Sequence, residues 1–175
     1  MAPKYRYFLV AFLIAYPLDV LSKTAVVQNI HYGTYHTVIP GFFQITHVRN
    51  PGGAFSFLAS GSAEWRLPFF IGMGAIAIVL LLVFLHRHEP EARLSPFALG
   101  AILGGAVGNF TDRIVYGEVI DFLEFTLFRG YTWPTFNFAD CAIVVGVTVL
   151  MVEIFFIEED KAAGRSGDAA VGEST

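Results

Sequence analysis

Four aspartates carry the chemistry open to this sequence: Asp19, Asp112, Asp121 and Asp140. Each lies within or just beyond a long apolar run, where an ionised group is costly and is usually paired or functional. Two carboxylates held close together cannot both ionise cheaply. Like charge raises one pKa, which leaves a general base and a general acid near neutral pH. Water held between them could attack an amide carbonyl without a Ser or Cys nucleophile. Spacing does not say which two aspartates pair. Asn109 and Asp112 are i,i+3, as are Asn137 and Asp140, and Asp19 and Lys23 are i,i+4, so each set shares a helix face. By residue pattern alone Asp112 ranks first. Asp121 sits in "VIDFLEF", whose alternation reads as the wet face of an edge strand, and Glu118 and Glu124 read as solvated. Structural ion pairs, Asp19 with Lys23 and Asp112 with Arg113, fit the same spacings, and Asn109 and Asn137 also fit helix caps. Cys141 adjoins Asp140 but has no nearby His to activate it. The histidines lack ligand spacing, so no metal site is expected.

The elements that must position these groups are membrane spans. The chain has 175 residues, 55% of them hydrophobic and 15% charged, with a mean hydropathy of +0.59. A soluble domain carries about 25% charged residues. A spanning helix needs about 20 mostly apolar residues, and four segments qualify, at about 7–27, 67–85, 96–113 and 137–157. A cleaved leader is disfavoured for the first, because no small-x-small cleavage site follows it. No basic run suits nucleic acid, and the single Cys141 excludes an internal disulfide. With Lys23 and Arg113 set aside as site residues, Lys and Arg favour the side that holds both termini, which predicts cytoplasmic ends. Residues 1–160 read as one membrane domain. The segment at about 30–65 supplies an outer β-hairpin or small sheet around Pro40-Gly41. An interfacial helix or loop anchored by Trp65 follows. Residues 161–175 read as a disordered tail.

Helix direction brings the polar groups to one level. The outer ends of spans one and three and the first turns of span four carry Asp19 and Lys23, then Asn109, Asp112 and Arg113, then Asn137 and Asp140. Asp140 lies only about 5–10 Å into its span. Gly100, Gly104 and Gly108 recur every four residues and let a neighbouring helix approach. Acids near one interface, with no internal repeat, favour an enzyme over a proton-coupled carrier, whose sites lie near the midplane between repeated halves.

Four blocks then match a known pattern in order: "DVLSK" at 19–23, "NPGGAFSF" at 50–57, "GGAVGNFTDRIVYGEVIDF" at 104–122 and "FNFADCAI" at 136–143. Through them the chain resembles the lipoprotein signal peptidases (signal peptidase II), bacterial membrane aspartic peptidases. The resemblance implies a catalytic dyad of Asp121 and Asp140, which reverses the ranking drawn from residue pattern alone. It implies supporting or substrate-binding roles for Asp19, Lys23, Asn50, Gly52, Asn109, Asp112, Arg113 and Asn137. It further implies four transmembrane helices with a small outer β-cradle, lipidated prolipoprotein substrates cleaved before a diacylglyceryl-Cys, membrane-lipid partners and no metal or cofactor. The enzyme would reside in the cell inner membrane, with its site near the outer face; a monomer suffices, because four spans enclose the cluster. Two positions depart from the family pattern. Val20 stands where a Gln is usual, and Gly53 replaces an Ala.

Overall fold

The computed structural model describes residues 1–53 and 62–172, with side chains described through Phe155 apart from Ala63. Four helices carry the chain: α1 (Pro3–Asn29), α2 (Ala63–Arg87), α3 (Leu94–Tyr116) and α4 (Phe138–Gly172). All four contain stretches long and apolar enough to cross a membrane. In hydrocarbon only a helix satisfies its own backbone polar groups, so these runs have little alternative. α4 continues past its apolar span, which ends at Phe155, to Gly172, where composition predicts an unstructured tail. Ala162, Ala163, Ala169 and Ala170 supply helix propensity there.

The centre of the bundle is α3, which makes the most extensive contacts with α1 and α4 and fewer with α2. Small residues permit this. A Cβ added at Gly104 would lie 2.7 Å from the Ala15 Cβ of α1. One added at Gly108 would collide with the Asp19 carboxylate. The four-residue glycine stripe therefore seats α1, and with it Asp19, directly on α3. A buried apolar cluster of Phe8, Leu85, Leu99 and Leu103 closes the end of the bundle that holds the N-terminus.

Over the opposite end lies a three-stranded antiparallel sheet in the order β1-β2-β3, formed by β1 (Tyr35–Ile39), β2 (Phe43–Asn50) and β3 (Val119–Phe125). The β1–β2 turn has Gly41 at φ 71° and a bond from the Phe42 N–H to the Ile39 carbonyl, 3.1 Å. Pro then Gly at the two central positions is what a type II turn requires. The third strand follows α3 through Gly117, a left-handed cap whose N–H bonds the Arg113 carbonyl at 3.1 Å. It pairs with β2 in a register that sets Val48 opposite Asp121 and Asn50 opposite Val119.

One expectation from residue pattern fails here. Asp121 is 2% exposed, not a wet edge residue. The far side of β3 is covered, because Leu123 exchanges backbone hydrogen bonds with Phe136 (2.8 and 3.2 Å) just before α4 begins. Trp65 is half-exposed in the first turn of α2, edge-on to Phe69; the rest of the expected interfacial segment, 54–61, lies outside the described residues.

Candidate active site

The start of α4 is a reciprocal cap. Asn137 Oδ1 accepts the Asp140 N–H at 3.0 Å, and Asp140 Oδ2 accepts the Asn137 N–H at 3.3 Å. This is the capping-box arrangement, which fixes the Asp140 side chain at the helix end. From α1, Asp19 Oδ1 accepts the N–H of Ala139 at 2.9 Å, placing negative charge at the N-terminal end of the α4 dipole.

Lys23 ties α1 to α3. Its Nζ lies 2.7 Å from Asp19 Oδ2 and 2.7 Å from Asp112 Oδ2, and it donates to Asn109 Oδ1 at 2.9 Å. Asp112 also accepts the Ile120 N–H at 3.2 Å, which docks β3 onto α3. The Asp112–Arg113 pair is not formed. Arg113 instead donates to the carbonyls of Gly52 (2.8 Å) and Asn109 (3.3 Å) and stacks on Phe70, 4.8 Å to the ring centroid.

The three asparagines have settled polarities. Asn50 Oδ1 takes the Gly52 N–H at 2.9 Å, so its Nδ2 faces Asp121 Oδ2 at 3.1 Å. Asn137 Oδ1 takes the Asp140 N–H, so its Nδ2 faces Asp121 Oδ1 at 2.6 Å. Asn109 Oδ1 takes the Lys23 ammonium, so its Nδ2 faces Asp140 Oδ1 at 2.8 Å. Each amide oxygen is occupied by a definite donor, and each amide nitrogen is thereby turned toward a carboxylate.

Asp121 and Asp140 differ in access: Asp121 is buried and Asp140 half-buried. Burial pushes the Asp121 carboxyl up to about 7, helped by the charge of Asp140 and opposed by the amides of Asn50 and Asn137 and by Lys23. Desolvation outweighs two donors because removing a carboxylate from water disfavours its charged form. Among the described residues no group of three or more His, Cys, Asp or Glu is arranged to hold a metal ion.

All ten residues singled out in the sequence meet in this cluster. Residue pattern missed the backbone partners, the N–H groups of Ile120 and Ala139, since no side-chain type signals them. It also missed Phe70 beneath Arg113. At the departing position Val20, the carbonyl accepts from Thr24 Oγ1 at 2.7 Å.

A four-helix membrane fold with a small sheet over buried carboxylates places the chain among membrane enzymes. One solved bacterial membrane enzyme superposes with a TM-score of 0.79 at 28% identity, covering 88% of this chain and 90% of its own. A second gives 0.75 at 28% identity, covering 84% and 91%. The sequence pattern described as signal peptidase (SPase) II matches residues 10–156, and the chain belongs to that family. A lipoprotein signal peptidase of Ralstonia nicotianae is 46% identical over 136 residues, 78% of this chain and 76% of the relative. That of Geobacter sulfurreducens is 41% identical over 162 residues, 93% and 99%.

Proposed function

We propose that the chain removes signal peptides from prolipoproteins, cleaving before a diacylglyceryl-modified Cys, with Asp121 and Asp140 as an aspartic dyad. Family membership supports the substrate class. The observation that carries the mechanism is Asn137, which donates to Asp121 through its side chain and to Asp140 through its backbone, 2.6 and 3.3 Å. One residue thus sets both carboxyls in a common frame.

The different environments of the two carboxyls support one placement of the proton. Buried Asp121, with its raised pKa, holds it near neutrality. Asp140, reached by Asn109 and by the Asn137 N–H, takes the role of the base. The Asp140 carboxylate takes a proton from water as the water oxygen bonds to the scissile carbonyl carbon. Asp121 gives its proton to the carbonyl oxygen. The resulting gem-diol returns a hydroxyl proton to Asp121 while the C–N bond breaks and the departing nitrogen takes the proton from Asp140. Both carboxyls end as they began.

Asp19, Lys23, Asp112 and Arg113 act as bracing groups, and Asn50, Gly52, Asn109 and Asn137 orient the dyad or the substrate. The enzyme would work as a monomer in the inner membrane, with cytoplasmic termini and the sheet on the outer side, where the scissile bond of a membrane-inserted signal helix emerges. The decisive assay uses purified protein and lipidated prolipoprotein. Asp121→Asn and Asp140→Asn should each lower cleavage by at least about 10²-fold while the protein stays folded. Ordinary turnover by either variant would refute the dyad.

A further inference from the structure

Two arginines near the sheet stack on aromatic rings, and they differ in what their N–H groups do. Arg113 spends its donors on the carbonyls of Gly52 and Asn109. Arg49 does not. Its guanidinium carbon lies 5.2 Å from the ring centroid of Tyr116 and 6.0 Å from that of Tyr32. Among the described residues no carboxylate lies within salt-bridge reach of it, and residues 54–61 contain no acid.

Position says what could complete this group. Arg49 stands on β2 beside Asn50. Successive side chains of a strand point to opposite faces, so Arg49 leaves the sheet on the face away from Asp121. Tyr116 is the last residue of α3, and Tyr32 lies just past the end of α1 at Asn29. The guanidinium therefore sits where two membrane spans emerge, at the level of lipid headgroups. Tyr32 and Tyr116 are 67% and 43% exposed, so the clamp is open to a ligand. It is also pre-shaped: Tyr32 is braced edge-on by buried His47, 5.7 Å between centroids, and His47 Nδ1–H donates to the Ile30 carbonyl at 2.8 Å.

We propose that Arg49, clamped between Tyr32 and Tyr116, binds the phosphate of a phospholipid headgroup in the leaflet on the sheet side. The two rings flank the guanidinium, and its N–H fork matches phosphate oxygens two at a time. Lysine has the charge but neither the fork nor the plane. A phosphate held there would tether the strand that also carries Asn50.

The test uses full-length protein in detergent micelles, with phosphatidylglycerol retention followed by native mass spectrometry. Wild type should retain the lipid. Arg49→Gln should weaken retention at least roughly tenfold, the value of one lost charge-assisted contact. Tyr116→Leu, which keeps the charge and removes one wall, should also weaken it and covers the case in which Arg49→Gln fails to fold. Diacylglycerol, which lacks the phosphate, should be retained equally poorly by all three proteins. Glycerol phosphate in solution distinguishes the source: failure to displace the lipid supports a headgroup site, and displacement at matched concentration overturns the lipid assignment in favour of soluble phosphate. Equal phosphatidylglycerol retention by wild type and both variants overturns the proposal.

Discussion

Both ends of the helix bundle bury polar side chains, and they do so to different effect. At the end that holds the N-terminus, Lys4 Nζ donates to the carbonyls of His86 (2.9 Å) and His88 (2.5 Å), and Ser95 Oγ donates to Glu153 Oε2 at 2.6 Å. Lys4 there satisfies the carbonyls left over at the C-terminus of α2. Each contact is local and finished. At the sheet end, Lys23 bridges Asp19 and Asp112, and three amides aim their nitrogens at Asp121 and Asp140. Those carboxyls keep lone pairs and a proton in play. Burial of charge alone therefore does not mark a reactive site; in the proposed mechanism the distinguishing feature is a buried group whose partners leave it able to exchange a proton.

The contrast can be broken by substitution at each end. Asn137→Ala removes the shared frame and should cut cleavage by about 10²-fold, the scale of a misplaced reacting group. A single-turnover assay reads this, and a loss under twofold would mean the amide is only a cap. Lys4→Met should instead cost stability, about 1–3 kcal/mol for stranded carbonyls, with turnover per folded molecule unchanged. Thermal unfolding beside a cleavage assay separates the two, and a selective loss of turnover would erase the distinction between the ends.

A smaller effect lies in pH. The Asp121 carboxyl ionises near 3.8 in an unfolded reference and near 7 when folded. The folded state thus holds the extra proton between those values, and stability falls as pH rises through that window. Asn does not titrate. The melting temperature of Asp121→Asn relative to wild type should climb from pH 4 to pH 7 and level off above. A constant offset across that range would show that Asp121 ionises normally.

Much of this was legible in the residues. Apolar runs marked the spans, the glycine stripe marked the tight α1–α3 face, and Pro40-Gly41 marked the hairpin. Helix direction placed Asp19, Asp112 and Asp140 at one level. Asp121 was not legible from pattern. Its strand alternates like an exposed edge, and its burial comes from Phe136 and α4, which return fifteen or more residues later in the chain to cover it. Likewise Asp112 beside Arg113 suggested a pair, whereas on a helix neighbouring side chains diverge and Lys23 of another span reaches Asp112 first. Local periodicity could not foresee the burial of Asp121, since long-range closure leaves no local trace, and only the family resemblance implied a catalytic role for it.

In the proposed mechanism Asp121 carries the working proton and Asp140 receives the one that leaves water. The most direct measurement is kcat/KM for lipidated substrate across roughly pH 5–9, which reports the free enzyme's essential acid and base. With Asp121 as the acid, an alkaline limb should fall away near its raised value of about 7. The limb should move to higher pH in Asn50→Leu, which deletes one donor favouring ionised Asp121. A profile that stays flat above neutrality, or a limb unmoved by Asn50→Leu, would contradict it.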